Sequence, residues 1–416
     1  MIKLFALLTI ACALSSVTSS AYAQKGESLK AATGKIDITP KNSVFIAGYG
    51  SNRKSTSVHD PVSARCLVLE SGGTRIAIVS CDLIGVPRHA SEKIRSMVKS
   101  VTPEHLYIAA THTHSGPDTL GQWGPDFQTS GVDKVWWEET QRRIAALVET
   151  TGAKLEPAAL KFAHTSQVPK VSKNARVAEI LDTELGVMQV VSPAGEKVIA
   201  TLVNFACHPE VLDCHAISSD FPNWLYSTVE AKTGATCLYL NGAQGGMITA
   251  LFDEEVLPKG ENFKAAEMIG TSLANRALEI IQSAEIVRDA PIRTQRRIFQ
   301  VPMENAMFKM LIKIKVFPNL LTKEGNVETE VNRITIGEAE FLTLPGEVLP
   351  NIGFMLKRYM TGKTKFLLGL TCDELGYILA DEDFGLKIYE YESRVSVGSQ
   401  MGAVMVQNLK QLLRGK

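Results

Sequence analysis

The chain has almost no net charge, with 44 basic residues against 44 acidic ones. This gives no electrostatic case for a nucleic-acid partner. It also has no second long apolar run: after residue 23, no segment approaches the roughly 18 uninterrupted apolar residues of a membrane helix. Of its 7 cysteines, none forms a C-x-x-C pair or a zinc-ribbon spacing. The glycine-rich stretch "LNGAQGG" lacks the Gly-Lys-Ser/Thr ending of a phosphate loop. There is no internal repeat and no low-complexity linker.

The chain begins MIKLFALLTIACALSSVTSSAYAQ. Lys3 gives a positive start, Leu4 to Leu14 an apolar core, and Ala21-Tyr22-Ala23 a small-x-small cleavage site. The expectation is a signal peptide over 1–23, a single large catalytic domain over 24–416, and a secreted or periplasmic protein. Removing Lys3 with the leader leaves one acidic residue in excess. Six cysteines then remain, at 66, 81, 207, 214, 237 and 372, and export permits disulfides without requiring them. Cys207 with Cys214 is the pair to test, against buried free thiols.

Branched runs predict strands at Lys35 to Thr39, Ala64 to Glu70, Thr74 to Cys81, Leu106 to Ala110, Leu160 to His164, Gly186 to Val191 and Val198 to Ala206. Helical periods fall at Ala90 to Val101, Lys134 to Thr150, Asn223 to Lys232, Phe263 to Ala284, Asn351 to Tyr359 and Met401 to Arg414. Together they indicate an α/β fold of mixed β-sheets flanked by helices. Met303, Met307, Met310, Leu311 and Ile314 share one helical face. That face is either packed on the core or is a greasy wall for an acyl chain or a lipid surface.

Residues with chemical potential cluster at strand ends. In "IAATHTHSGPDT" a strand leads into His112 and His114. Strand alternation would point both imidazoles the same way, toward a metal or a substrate; the plainer reading is one capping and one solvated histidine. "VNFACHPEVL" ends a second strand at His208, with Pro209 turning the chain away. Ser219 or Asp220 fits a helix cap. "LYLNGAQGGMITA" places Thr249 after the glycine-rich bend, and Glu347 follows Pro345-Gly346. Tyr377 and Tyr389 read by themselves as buried, hydrogen-bonded tyrosines.

Taken in order, these elements resemble the catalytic domain of the neutral, non-lysosomal ceramidases. The matching segments are Gly34 to Thr39, His112 to Pro117, Asn174-Ala175-Arg176, His208-Pro209, Pro345-Gly346-Glu347, and Tyr377 with Tyr389-Glu390. The resemblance implies one zinc ion held by His112, His208, Glu347 and Tyr377. It also implies that His114, Arg176 and Tyr389 surround the reacting carbonyl, and that the bond cleaved is the amide of an N-acyl lipid, with possible peripheral membrane contact. The chain departs from the family in two places. Thr249 stands where the family has its catalytic serine, so a zinc-activated water or Thr249 would attack. The chain also reads as a short form without the family's C-terminal immunoglobulin-like domain. The alternatives are an amidase or esterase acting on a glycan or lipoamino acid, and a non-catalytic, zinc-stabilised lipid- or glycan-binding protein.

Overall fold

The computed structural model describes residues 28–249, 262–317 and 321–414. The leader, Ala250 and Pro318 lie outside the described residues. Three mixed sheets form the framework. The first contains β1 (Lys30–Asp37), β2 (Ser63–Ser71), β3 (Thr74–Cys81) and β4 (Leu106–Ala110), ordered β4-β3-β2-β1, with the short strand Glu156–Pro157 beside β1. The second is built from β5 (Ala159–Thr165), β6 (Leu185–Val191), β7 (Val198–Phe205) and β8 (Thr236–Asn241), in sequential order. The third comprises β9 (Ile292–Pro302), β10 (Asn326–Ile336), β11 (Ala339–Thr343) and β12 (Thr364–Leu368), also in sequential order.

Each sheet is antiparallel except at one edge, where a single parallel pair forms: β3 with β4, β7 with β8, and β11 with β12. In open sheets the carboxyl ends of parallel strands are where ligands bind. Every candidate metal ligand leaves the framework at or just beyond such an end.

The predicted strands and helices of the first two sheets are present, with bounds shifted by a few residues. The third sheet's strand β12 was not anticipated, and neither were β9 and β10. They are long but carry Arg293, Arg296, Arg297, Glu328, Glu330 and Arg333, so neither shows an unbroken apolar run nor a clean alternation. The inner faces of all three sheets share one core, in which Leu67 and Ile78, Met188 and Leu202, and Phe341 and Phe366 take part. The two phenyl rings stack with centroids 4.3 Å apart.

Helices cover the outer faces. α1 (Arg88–Met97) and α2 (Lys134–Gly152) lie on the first sheet. α3 (Phe221–Thr233) and α4 (Asn262–Gln282) lie on the second. On the third sheet are α5 (Ala306–Lys313), α6 (Pro350–Tyr359) and α8 (Met401–Leu413), while the short α7 (Glu390–Arg394) precedes α8. Local chemistry sets their ends: Asp133 and Asp220 accept backbone N–H groups at the starts of α2 and α3, and Pro350 opens α6. Asp220 thus takes the capping role expected of it or Ser219. No described helix is long and apolar enough to cross a membrane.

The methionine face reads differently in space. Met303 precedes α5 and is buried, whereas Met307, Met310 and Ile314 are 46%, 41% and 40% exposed. It is Phe308 and Leu311 that pack on the third sheet. The six described cysteines are all free thiols, including Cys207 and Cys214.

Candidate metal centre

His112 does not reach its position by strand alternation. β4 ends at Ala110, and His112 adopts a left-handed backbone at φ 73°. This conformation is unusual for a residue with a Cβ and persists only where the surroundings over-determine it. Here the His112 N–H donates to the Leu83 carbonyl and the His114 N–H to the Pro209 carbonyl. The two rings stand edge to face, 5.0 Å apart.

His208 follows β7 and brings its ring to 4.9 Å from His112 and 5.8 Å from His114. Both His112 and His208 place Nδ1 on a backbone carbonyl, Ile84 at 2.6 Å and Met247 at 2.9 Å. Donation from Nδ1 fixes the tautomer and leaves the Nε2 lone pair free, the arrangement typical of metal-binding histidines.

Glu347, from the loop after β11, completes the convergence. Its Oε2 lies 2.8 Å from His208 Nε2 and 3.5 Å from His112 Nε2, and the Tyr377 hydroxyl is 3.5 Å from His208 Nε2. The residues expected to ligate metal, His112, His208, Glu347 and Tyr377, are therefore brought together. Glu347 and Tyr377 are themselves register partners in a short parallel bridge, Glu347–Val348 beside Tyr377–Ile378. His114 belongs to the same cluster: the donor atoms of His112, His114 and His208 all lie within 4.8 Å of one another. Neither nitrogen of His114 has a hydrogen-bond partner among the described residues.

Electrostatics fits this donor set to a cation. Burial, against the pull of Glu347, depresses His112 to about 4. Burial alone would also lower His208, but the hydrogen bond and charge of Glu347 outweigh it and lift His208 to about 9. Burial opposes ionisation of Glu347 too, yet His112 and His208 hold it below the usual carboxylate range. The His208–Glu347 pair thus holds one proton, whose positive charge faces the Glu347 carboxylate. A metal ion would supply that charge by replacing the proton. Two imidazoles, a carboxylate and a phenol are a chemically coherent donor set. His114 is different: burial, with His112 and His208 beside it, holds it well below its ordinary pKa, so it is neutral at pH 7.

Residues not singled out in the sequence hold this geometry. Asn241, at the end of β8 and fully buried, donates to the Thr111 and Cys207 carbonyls and accepts from the Cys207 N–H. One side chain therefore pins both histidine-bearing loops at the residue before each ligand. Gly48 has φ 100°, and a Cβ there would stand 2.3 Å from His114 Cγ. Only glycine allows the chain to pass so close to that ring.

A cavity opens beside the cluster, walled by His112, His114, Glu347, Glu374, Tyr377 and Tyr391 together with apolar Met303, Phe308, Ile312 and Phe317. Tyr389, Arg176 and Thr249 are not on this wall. Tyr389 is buried with Leu349, Tyr377 and Leu379. The structure instead gives the cavity position to Tyr391, whose ring lies 5.7 Å from that of Tyr377. Two tyrosines, Tyr389 and Tyr391, follow Tyr377 in the sequence, and the turn at Lys387–Tyr389, which decides between them, depends on packing rather than on spacing. Arg176 donates from Nε to Glu392 at 2.6 Å, which anchors the residue after Tyr391. Thr249 lies in the short ladder pairing Met247–Thr249 with Ser172–Asn174, and its buried hydroxyl has no partner among the described residues.

No family model matches the chain. Among curated proteins, the neutral ceramidase of Pseudomonas aeruginosa is 28% identical over 139 residues, a match covering 31% of this chain and 21% of that enzyme. The chain thus spans about a fifth of the length of the curated relative it matches. Among solved structures, neutral ceramidase from Pseudomonas aeruginosa superposes with a TM-score of 0.79 at 19% identity, over 93% of this chain and 74% of that one. A ceramidase complexed with C2 gives 0.78, 19%, 93% and 75%. The chain has the fold of neutral ceramidase, and the likeness read from its motifs is found again in both its sequence and its structure.

Proposed function

We propose that the chain is an exported, zinc-dependent hydrolase that cleaves the amide bond of an N-acyl lipid, releasing a fatty acid and a sphingoid amine. The observation that carries this reading is the meeting of His112, His208, Glu347 and Tyr377, of which His112, Glu347 and Tyr377 line a cavity whose wall is otherwise largely apolar. The leader-like segment supports export, and the fold and partial sequence match to ceramidases support the substrate class. Zinc held by the four donors would polarise the carbonyl and make water more acidic.

The chain's own residues do the rest. Phe308, Ile312 and Phe317 provide an apolar surface along which an acyl chain lies. Neutral His114, with no hydrogen-bond partner on either nitrogen among the described residues, donates one hydrogen bond to the carbonyl oxygen as negative charge builds on it. Tyr391, on the cavity wall beside Tyr377, supplies a second donor. Arg176 acts through Glu392 to hold that segment in place. Thr249 lies off the wall, which favours water over its hydroxyl as the attacking group. Water adds to the carbonyl carbon, the C–N bond breaks, and the nitrogen leaves with a proton. Outside the cavity, exposed Met307, Met310 and Ile314 alternate with Lys309, Lys313 and Lys315, a composition suited to the surface of an anionic bilayer.

The deciding measurement is fatty-acid release from labelled N-acyl sphingosine by the protein as isolated, after chelation, and after zinc is restored. Release should vanish with chelation and return with zinc. A zinc-loaded protein that releases nothing removes the ceramide assignment. The two tyrosines should also separate: Tyr391→Phe should lower turnover about 100-fold with metal content intact, while Tyr389→Phe should change it little. Equal effects from both would contradict the placement of Tyr391.

A further inference from the structure

One polar group on the cavity wall has no part in the metal cluster or in the carbonyl site. Glu374 follows β12 and is only 8% exposed. Its Oε1 accepts the Gly376 N–H at 3.0 Å, which braces the turn into Tyr377. Its Oε2 is buried and has no hydrogen-bond partner among the described residues. A buried carboxyl oxygen left unpaired is costly, so a protein keeps one chiefly where a ligand or water completes it.

The neighbouring carboxylate shows what a purely structural role looks like in this loop. Asp373 accepts from the Thr329 hydroxyl at 2.7 Å and from the Arg88 N–H at 2.9 Å, so both of its oxygens are engaged. Glu374 turns the other way, into the cavity that also holds His112 and Glu347. Gly85 makes room for it, since a Cβ there would stand 2.6 Å from Glu374 Cγ. The adjoining wall, Leu375 and Val327, is apolar, and burial, with the charge of Glu347 nearby, pushes the Glu374 carboxyl well above the usual carboxylate range.

Resting on the reading of this cavity as an acyl-substrate site, we infer that Glu374 is a specificity-determining residue whose free carboxyl oxygen hydrogen-bonds a hydroxyl of the substrate's polar head. An acylated nitrogen carries no charge, so the donors such a head offers beyond its amide N–H are hydroxyls. A site built around a buried polar group discriminates strongly against an analogue that lacks its hydrogen-bond partner, because the group is then left unpaired.

The test compares an N-acyl aminodiol with the N-acyl alkylamine of the same chain length, using wild type, Glu374→Leu and Glu374→Gln. The wild type should prefer the aminodiol, and Glu374→Leu should collapse the ratio of the two kcat/KM values by about 10- to 100-fold, mainly through KM. Glu374→Gln, which keeps an acceptor oxygen, should restore most of the ratio. Metal content should be equal in all three proteins. Equal losses on both substrates, a glutamine variant as poor as leucine, or lost metal would overturn the inference. If the wild type hydrolyses neither compound, binding of a long-chain aminodiol and of the matching alkylamine is read from the fluorescence of Trp123, which lies on the cavity wall. A wild-type preference for the aminodiol that disappears in Glu374→Leu sustains the inference even though hydrolysis has failed; no preference refutes it.

Discussion

His208→Ala is expected to yield a protein that retains no stoichiometric metal and has lost turnover by about 1000-fold or more, since metal polarisation supplies several kcal/mol of transition-state stabilisation. The size of the effect follows from position. His208 Nε2 is within 3.5 Å of both Glu347 and Tyr377, and no other histidine contacts both in this way. Its loss leaves His112 and Glu347 facing a gap where the central donor stood. Glu347 loses one of the two partners, beside His112, that hold its carboxyl below the usual range, and burial then favours the protonated form, a poorer ligand. Metal content by elemental analysis, beside a kinetic assay, reads both consequences. Thermal unfolding of the variant and of chelated wild type should be similar, which separates a lost ligand from a lost fold. Full metal occupancy in the variant would remove His208 from the ligand set.

The largest expected effect on stability lies away from the cavity. Arg95 of α1 and Glu330 of β10 are both buried and joined by two hydrogen bonds, at 2.9 and 2.8 Å. Arg296 pairs with the same carboxylate, and Arg95 also donates to the Leu106 carbonyl at the start of β4. This network ties the first sheet to the third. Glu330→Gln keeps the shape and removes the charge opposite two guanidinium groups, one of them fully buried, so it should cost about 3 kcal/mol. Burial alone would raise the Glu330 pKa, but Arg95 and then Arg296 hold it down at about 2. Because the folded value is depressed, its stabilisation is fully present above the ordinary carboxylate value near 4.3 and is lost as pH falls through about 2. Urea unfolding at pH 7 and at pH 3 should show the gap between wild type and variant narrowing at the acid end. A gap below 1 kcal/mol at neutral pH, or one indifferent to pH, would contradict this account.

The first two sheets were readable because their strands are short, branched and flanked by turns; Thr74 to Cys81 and Leu106 to Ala110 were placed to the residue. The third sheet was hidden, since β10 buries Glu330 and Asn332 among its apolar residues and pairs with arginines on β9. Buried polar networks of this kind defeat any reading based on hydrophobic period. At the site, residue types were legible while geometry was not. The motifs named His112, His208, Glu347 and Tyr377, but the left-handed turn at His112, the double clamp of Asn241, and the choice of Tyr391 over Tyr389 depend on loops meeting across sheets. The same holds for Glu374 and Asp373, adjacent acids in the sequence of which Glu374 lines the cavity and Asp373 does not.

The three parallel strand pairs have a consequence for how the chain folds. The first sheet delivers His112, the second His208, and the third Glu347 and Tyr377, with His208 and Glu347 separated by 139 residues. Contacts across such separations form only after large loops have closed. No single sheet can assemble the cluster, so the histidines and the glutamate cannot guide early collapse and come together only as the sheets dock. The same dependence runs in reverse: undocking any one sheet withdraws at least one donor, and metal retention becomes a gauge of whether all three sheets are in place.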